Sequence, residues 1–295
     1  MNNLSIKVFY PLLLVTSLGL AACDGLVKKS GVTSLEKAYQ QTIHAVVDAN
    51  SQSFENILSN KKVMATMSST EYAQSFMQNN RFLSDDSGYL FFNDTNGTIL
   101  AHGANAELNG VNLYNNQDIN GVYFVQEIIN QAKRESEQFV EYVFYNPSTG
   151  KNESKKTYAH TLNDPTTGER LILGSGYYLE SDSTMSHQDQ ADMRMASLVN
   201  VFSTGAAKVL SNKAMSNKAL QEDYLNDLVE DVRFYDDDSG YLFVLNTKGM
   251  VIGHGANDSL VAMNLYDASD KSGAFYVQGM IALVMSKAGK GFVSY

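Results

Sequence analysis

Cysteine, tryptophan and proline are scarce in this chain of 295 residues, which has one Cys, no Trp and three Pro. A single cysteine excludes an internal disulfide framework. Basic residues are also few, with 22 Lys and Arg against 32 Asp and Glu, for a formal net charge of −10. No basic stripe exists to neutralise phosphates, which excludes a DNA or RNA partner. There is no phosphate loop, no His-Glu-x-x-His and no nucleophile elbow, so the sequence reads as a non-enzyme without metal or cofactor. Asp236-Asp237-Asp238-Ser239-Gly240 has the look of a calcium loop, but Tyr235 stands at position 1, where a carboxylate is required. No low-complexity tract is present. At 44% hydrophobic residues, the length suits two globular domains of roughly 150 residues.

What the sequence does have is a repeat. "DDSGYLF" occurs at Asp85–Phe91 and again at Asp237–Phe243, 152 residues on. At the same offset Arg81 matches Arg233, Gly97 matches Gly249, and "HGAN" at His102–Asn105 matches His254–Asn257. "LSNK" at Leu58–Lys61 matches Leu210–Lys213, and Asp118 and Gly121 match Asp270 and Gly273. A period of this length fits a whole domain, so the chain reads as a tandem duplication.

The first 22 residues read as a targeting segment. Lys7 precedes an apolar run from about Val8 to Ala22, short of the ~20 residues a spanning helix needs. Leu20-Ala21-Ala22-Cys23 resembles a bacterial lipobox, which implies cleavage before Cys23 and lipidation of that residue. Asp24 after the lipidated cysteine implies retention at the inner membrane, with the protein facing the periplasm. An ordinary signal peptide, or a short anchor with a chance cysteine, is the alternative. Residues 23–32 then form the lipidated N-terminus and linker.

Within one copy, Thr33-Ser34-Leu35-Glu36 has the form of a capping box. Ile43, Val46, Val47, Phe54, Ile57 and Leu58 follow at helical spacing. A second helix is expected near Glu71–Gln78 and a third near Gly121–Lys133. Strands are expected at Gly88–Phe92, at Thr98–His102, and at Phe139–Tyr145, Lys155–Leu162 and Arg170–Tyr178. The fold class is α+β: a long N-terminal helix, then a five-stranded antiparallel sheet with helices.

This order of motifs, R-F-x-x-D-D-S-G-Y-L-F…G…H…N-L-Y…D-x-x-G…F-V-x-Y…K-x-Y…G-S-G-Y-Y, resembles the Cache domain, specifically its single type 2 form with a PAS-like sheet. The resemblance implies a first module at 33–181 and a second at 182–295. The second copy reaches Phe292-Val293-Ser294-Tyr295, so its last two strands are expected to be missing and a fragment is the favoured reading. Gly103 and Gly255 stand where many relatives have proline. Carried over by motif, the ligand contacts are Arg81, Tyr89, His102, Tyr142, Lys156 and Tyr158 in the first copy, and Arg233, Tyr241, His254 and Tyr295 in the second. A small organic acid is the implied ligand, and an inner-membrane signalling protein the implied partner. Each residue also has a structural reading: core aromatics for the tyrosines, backbone-satisfied loop histidines, and a bridge from Arg81 to Asp85-Asp86. Lys155 and Lys156 must point to opposite faces of their strand. The competing function is a scaffold lipoprotein that binds nothing small.

Overall fold

A computed structural model describes residues 34–178, 185–235 and 237–295. The targeting segment, Cys23 and the linker lie outside the described residues. The chain opens with α1 (Ser34–Ser59), a 26-residue helix that buries Ile43, Val46, Val47, Phe54, Ile57 and Leu58, the residues its periodicity picked out. Two short helices follow, α2 (Lys61–Met64) and α3 (Ser69–Met77). A capping box forms at α3, where Ser68 Oγ accepts from the Glu71 N–H and Glu71 returns the bond to the Ser68 N–H. The Glu36 carboxylate accepts from Lys156 Nζ and the Tyr177 hydroxyl, while Thr33, the first residue of the box expected at α1, lies outside the described residues.

The first sheet contains β1 (Arg81–Phe82), β2 (Gly88–Asp94), β3 (Ile99–His102), β4 (Val140–Asn146), β5 (Lys151–Asn163) and β6 (Arg170–Tyr178). The order is β1-β2-β6-β5-β4, with β3 also paired to β2 and every pairing antiparallel. It is the expected sheet plus the short β1. Strand β6 sits in the middle and is buried from Leu171 to Tyr178. One face, through Leu90, Phe92, Leu162, Leu171, Leu173 and Tyr177, packs on α1. On the other face Phe91, Ala159 and Ile172 meet α4 (Phe124–Lys133). The loop before α4 is fixed by Asp118, which accepts from the N–H groups of Asn120, Val122 and Val143.

The second copy repeats this plan with α5 (His187–Leu210), α6 (Lys218–Asp227), β7 (Arg233–Phe234), β8 (Gly240–Tyr241), β9 (Phe243–Leu245), β10 (Val251–His254) and α7 (Tyr276–Met285). Its strands form two two-stranded pairs, β7 with β8 and β9 with β10. Phe292–Tyr295 is not a strand; no neighbouring strand offers it a ladder, and Phe292 and Tyr295 are exposed.

The helices of both copies share one core, in which α1, α3, α5 and α6 contribute side by side. Contacts across this seam are exchanged position for position. Tyr72 and Tyr224 occupy the same place in the two copies, and their rings meet edge-on at 6.2 Å. Ser53 Oγ donates to Leu228 O, while Gly205, the equivalent of Ser53, lies against the ring of Phe76, the equivalent of Leu228. Such reciprocity is the signature of a two-fold pair. Among the described residues no helix is long and apolar enough to cross a membrane.

Candidate functional site

The candidate site lies on the sheet face away from α1. Alternation along β2 turns Tyr89 and Phe91 to this face and Leu90 and Phe92 to the helix core. On β5 the same rule brings Lys155, Thr157 and Ala159 to the site side. Lys156 and Tyr158, both expected as ligand contacts, therefore point at α1 and not to the side of Tyr89 and His102. Lys156 Nζ lies 2.6 Å from Glu36 Oε1, and the Tyr158 hydroxyl donates to Asp48 at 3.0 Å.

Lys155 takes the place expected of Lys156. It is 1% exposed, and its Nζ donates to the Tyr89 hydroxyl at 2.7 Å. The ammonium also lies 3.9 Å from the Tyr89 ring centroid, 5.3 Å from that of Tyr178 and 5.6 Å from that of Phe144. Among the described residues no carboxylate is within ion-pairing distance of it. Burial, with a smaller contribution from Arg81, holds the amine well below the ordinary lysine range. Room for its stem comes from β6. A Cβ at Gly176 would stand 2.8 Å from Lys155 Cε and against Lys156 O, and one at Gly174 would enter the Phe91 ring.

The other donors surround this lysine. Arg81 is partly buried, with its guanidinium 5.2 Å from the Tyr89 ring centroid and Nε donating to Asp86 O. Its bond runs to backbone, not to the Asp85 or Asp86 carboxylates. His102 is buried at the end of β3, and its Nδ1 accepts from the N–H groups of Ala104 and Asn105. With Nδ1 accepting, a neutral ring carries its proton on Nε2. Burial first, then Lys155 and Arg81, push the His102 pKa down to about 3, so the ring is a neutral donor. The ring sits 4.8 Å from that of Tyr89. Tyr142 stacks on Phe124 and shares a hydrogen bond with Thr157 Oγ1 at 3.0 Å. The Tyr178 hydroxyl lies 3.4 Å from that of Tyr89 and donates to Tyr145 O. Sequence reading missed Lys155 and Tyr178. The same-face glycines of Gly-Ser-Gly-Tyr-Tyr were the available signal, Gly176 making space for Lys155 and Gly174 for the Phe91 ring.

Gly103 follows His102, and its N–H donates to Leu90 O at 2.9 Å; Gly255 does the same to Leu242 O at 2.8 Å. A proline at either place would forfeit that bond.

The second copy reproduces the arginine–tyrosine–histidine cluster. Arg233 lies 5.7 Å from the Tyr241 ring, and His254 lies 5.0 Å from it with Nδ1 accepting from Ala256 and Asn257. Tyr295 is not brought into a strand beside them and stacks on Tyr276 at 4.7 Å.

Chemically, the first site presents cationic and neutral donors around buried aromatic faces, an arrangement suited to a small anion. Solved structures similar to this chain include the crystal structure of a methyl-accepting chemotaxis protein from Vibrio parahaemolyticus RIMD 2210633. It is 24% identical, with 50% of this chain and 92% of that chain covered and a TM-score of 0.40. A periplasmic sensor domain of a chemotaxis protein is 21% identical over 50% of this chain and 98% of that one, with a TM-score of 0.41. A structure described as the basis for carboxylic acid recognition by a Cache chemosensory domain is 21% identical over 50% and 97%, also with a TM-score of 0.41. The family model for the Cache domain matches residues 27–193 and again 178–295, and with both copies covered the chain belongs to the Cache domain family.

Proposed function

We propose that the protein is an extracytoplasmic sensor whose first copy binds a small carboxylate on the face formed by Lys155, Arg81, Tyr89, His102, Tyr142 and Tyr178. The observation that carries the reading is Lys155, a buried amine amid aromatic rings with no carboxylate partner among the described residues. A ligand carboxylate would supply that partner, with Arg81 offering a planar fork and His102 a neutral donor. The second copy keeps Arg233, Tyr241 and His254, and we assign it no ligand. Anchoring through a lipidated Cys23 at the periplasmic side of the inner membrane, and output through a membrane partner, complete the proposal.

The test is a thermal-shift and calorimetric screen of short carboxylates at fixed ionic strength, on wild type and Arg81→Ala. A ligand at a hundredfold excess over its Kd stabilises the native state by about 2.7 kcal/mol. Arg81→Ala removes a charge-assisted bond worth roughly 1.5–3 kcal/mol, so affinity should fall about ten- to a hundredfold. A broad metabolite panel that shifts nothing would favour a scaffold without a small ligand. Unchanged affinity in a folded Arg81→Ala variant would remove Arg81 from the site.

A further inference from the structure

A second group of basic side chains lies outside the candidate carboxylate site, where the first turns of α1 and α5 come together. A cleft of about 250 Å³ there is lined by Lys37, Gln41, His187, Gln190 and Arg194, with Ser34 at its edge. Among the described residues no carboxylate lines it, in a chain whose net charge is −10. We propose that this cleft binds a phosphate-bearing anion, independently of the carboxylate site.

Three observations support the assignment. First, the long helices α1 and α5 both begin beside the cleft, at Ser34 and His187, and a helix start carries partial positive charge. Second, Arg194 is held in position: its Nη2 donates to Gln41 Oε1 at 2.7 Å, and its guanidinium lies 5.2 Å from the Tyr235 ring centroid. A guanidinium fork and a lysine point charge can engage different oxygens of one phosphate together. Third, the basic character is not part of the duplicated frame. At the 152-residue offset His187, Gln190 and Arg194 correspond to Leu35, Ala38 and Thr42, all buried, while Lys37 corresponds to Asp189. The polar lining thus arises where the two copies differ, at a seam that neither copy forms alone. The volume is below the ~300–1,000 Å³ of drug-sized ligand sites, which fits a phosphate or a glycerophosphate better than a nucleotide.

The same headgroup chemistry can come from a soluble phosphate ester or from an anionic lipid, and the experiment separates them. The full chain, purified in detergent, is titrated with inorganic phosphate, glycerol 3-phosphate, and short-chain phosphatidylglycerol and phosphatidylcholine. Saturable binding of phosphate or glycerol 3-phosphate supports a soluble ligand; binding of phosphatidylglycerol alone supports a lipid headgroup. In either case Lys37→Gln should weaken binding about tenfold and Lys37→Glu should abolish it. Lys37 is exposed, so both variants should fold, and their unliganded melting temperatures check this. Lys155→Met should leave this affinity unchanged, so loss of the carboxylate site and loss of this one are told apart. The proposal is overturned if none of the phosphate compounds binds, if phosphatidylcholine binds equally well, or if Lys37→Glu binds like wild type.

Discussion

Replacing Lys155 by methionine should remove ligand binding without weakening the unliganded fold. In its charged form the ammonium gains one hydrogen bond to the Tyr89 hydroxyl and the face of the Tyr89 ring. Those gains are worth roughly 1.5–3 kcal/mol and about 2 kcal/mol. Against them stands a desolvation cost of several kcal/mol for a buried ion. The two sides nearly cancel, and methionine fills a similar shape at no electrostatic cost. We therefore expect Lys155→Met to be more stable at neutral pH by between zero and about 2 kcal/mol. At roughly 2–4 °C per kcal/mol, that raises Tm by up to about 8 °C. The pH dependence sharpens the test. The folded-state pKa lies well below that of the unfolded chain, near 10.4. Between those two values the unfolded state binds more protons, so wild-type stability rises with pH, by at most about 1.4 kcal/mol per unit. The variant lacks this slope, and its advantage should shrink as pH rises toward 10. Thermal or urea melts of both proteins from pH 6 to pH 10 measure it. A bound carboxylate should also make wild type take up protons, visible as a dependence of the calorimetric heat on buffer ionisation. Parallel stability curves, or a uniform loss of 3 kcal/mol or more in the variant, would refute the reasoning.

His102 should remain a neutral Nε2–H tautomer from pH 5 to pH 8 in nitrogen NMR of the imidazole, since its pKa is pushed down to about 3; a midpoint near 6.5 would contradict its burial. The depressed pKa also means that its contribution to stability declines as pH falls from about 6.5 toward 3. Gly205→Ala should drive a methyl into the Phe76 ring and cost about 1–3 kcal/mol, with part recovered by Phe76→Leu in a double-mutant cycle. No coupling between the two substitutions would mean that the seam is not packed as described. Cys23→Ser should release the protein from the membrane fraction, and a variant still sedimenting with membranes after signal cleavage would defeat the anchor.

Much of the first copy was legible because its signals are local. Strand β6 runs from Arg170 to Tyr178 as its apolar run and flanking turn indicated, and the buried face of α1 follows its spacing. The choice between Lys155 and Lys156 was not local. Adjacent residues must face opposite ways, but which one faces the site depends on register. That register is set across the Asp164–Glu169 turn, which places Lys155 opposite Tyr178 and Thr157 opposite Gly176. Tyr158 goes with Lys156 to the face toward α1. Phe292–Tyr295 shares the Phe-Val-x-Tyr pattern at the start of β4 but pairs with no strand among the described residues, and a strand forms only with a partner. The shared helical core was invisible for another reason. Ser53, Gly205, Tyr72 and Tyr224 look ordinary in sequence, and only their reciprocal contacts show that the copies pair.

That reciprocity changes the physics of assembly. Two separate polypeptides meeting through Tyr72 and Tyr224 would depend on their concentration, and dilution would part them. Joined in one chain, the halves face each other at an effective concentration on the order of millimolar, whatever the expression level. The pairing then cannot be lost by scarcity, and selection no longer holds the halves identical. Each can drift separately, which is the freedom that places Arg194 where its twin is Thr42.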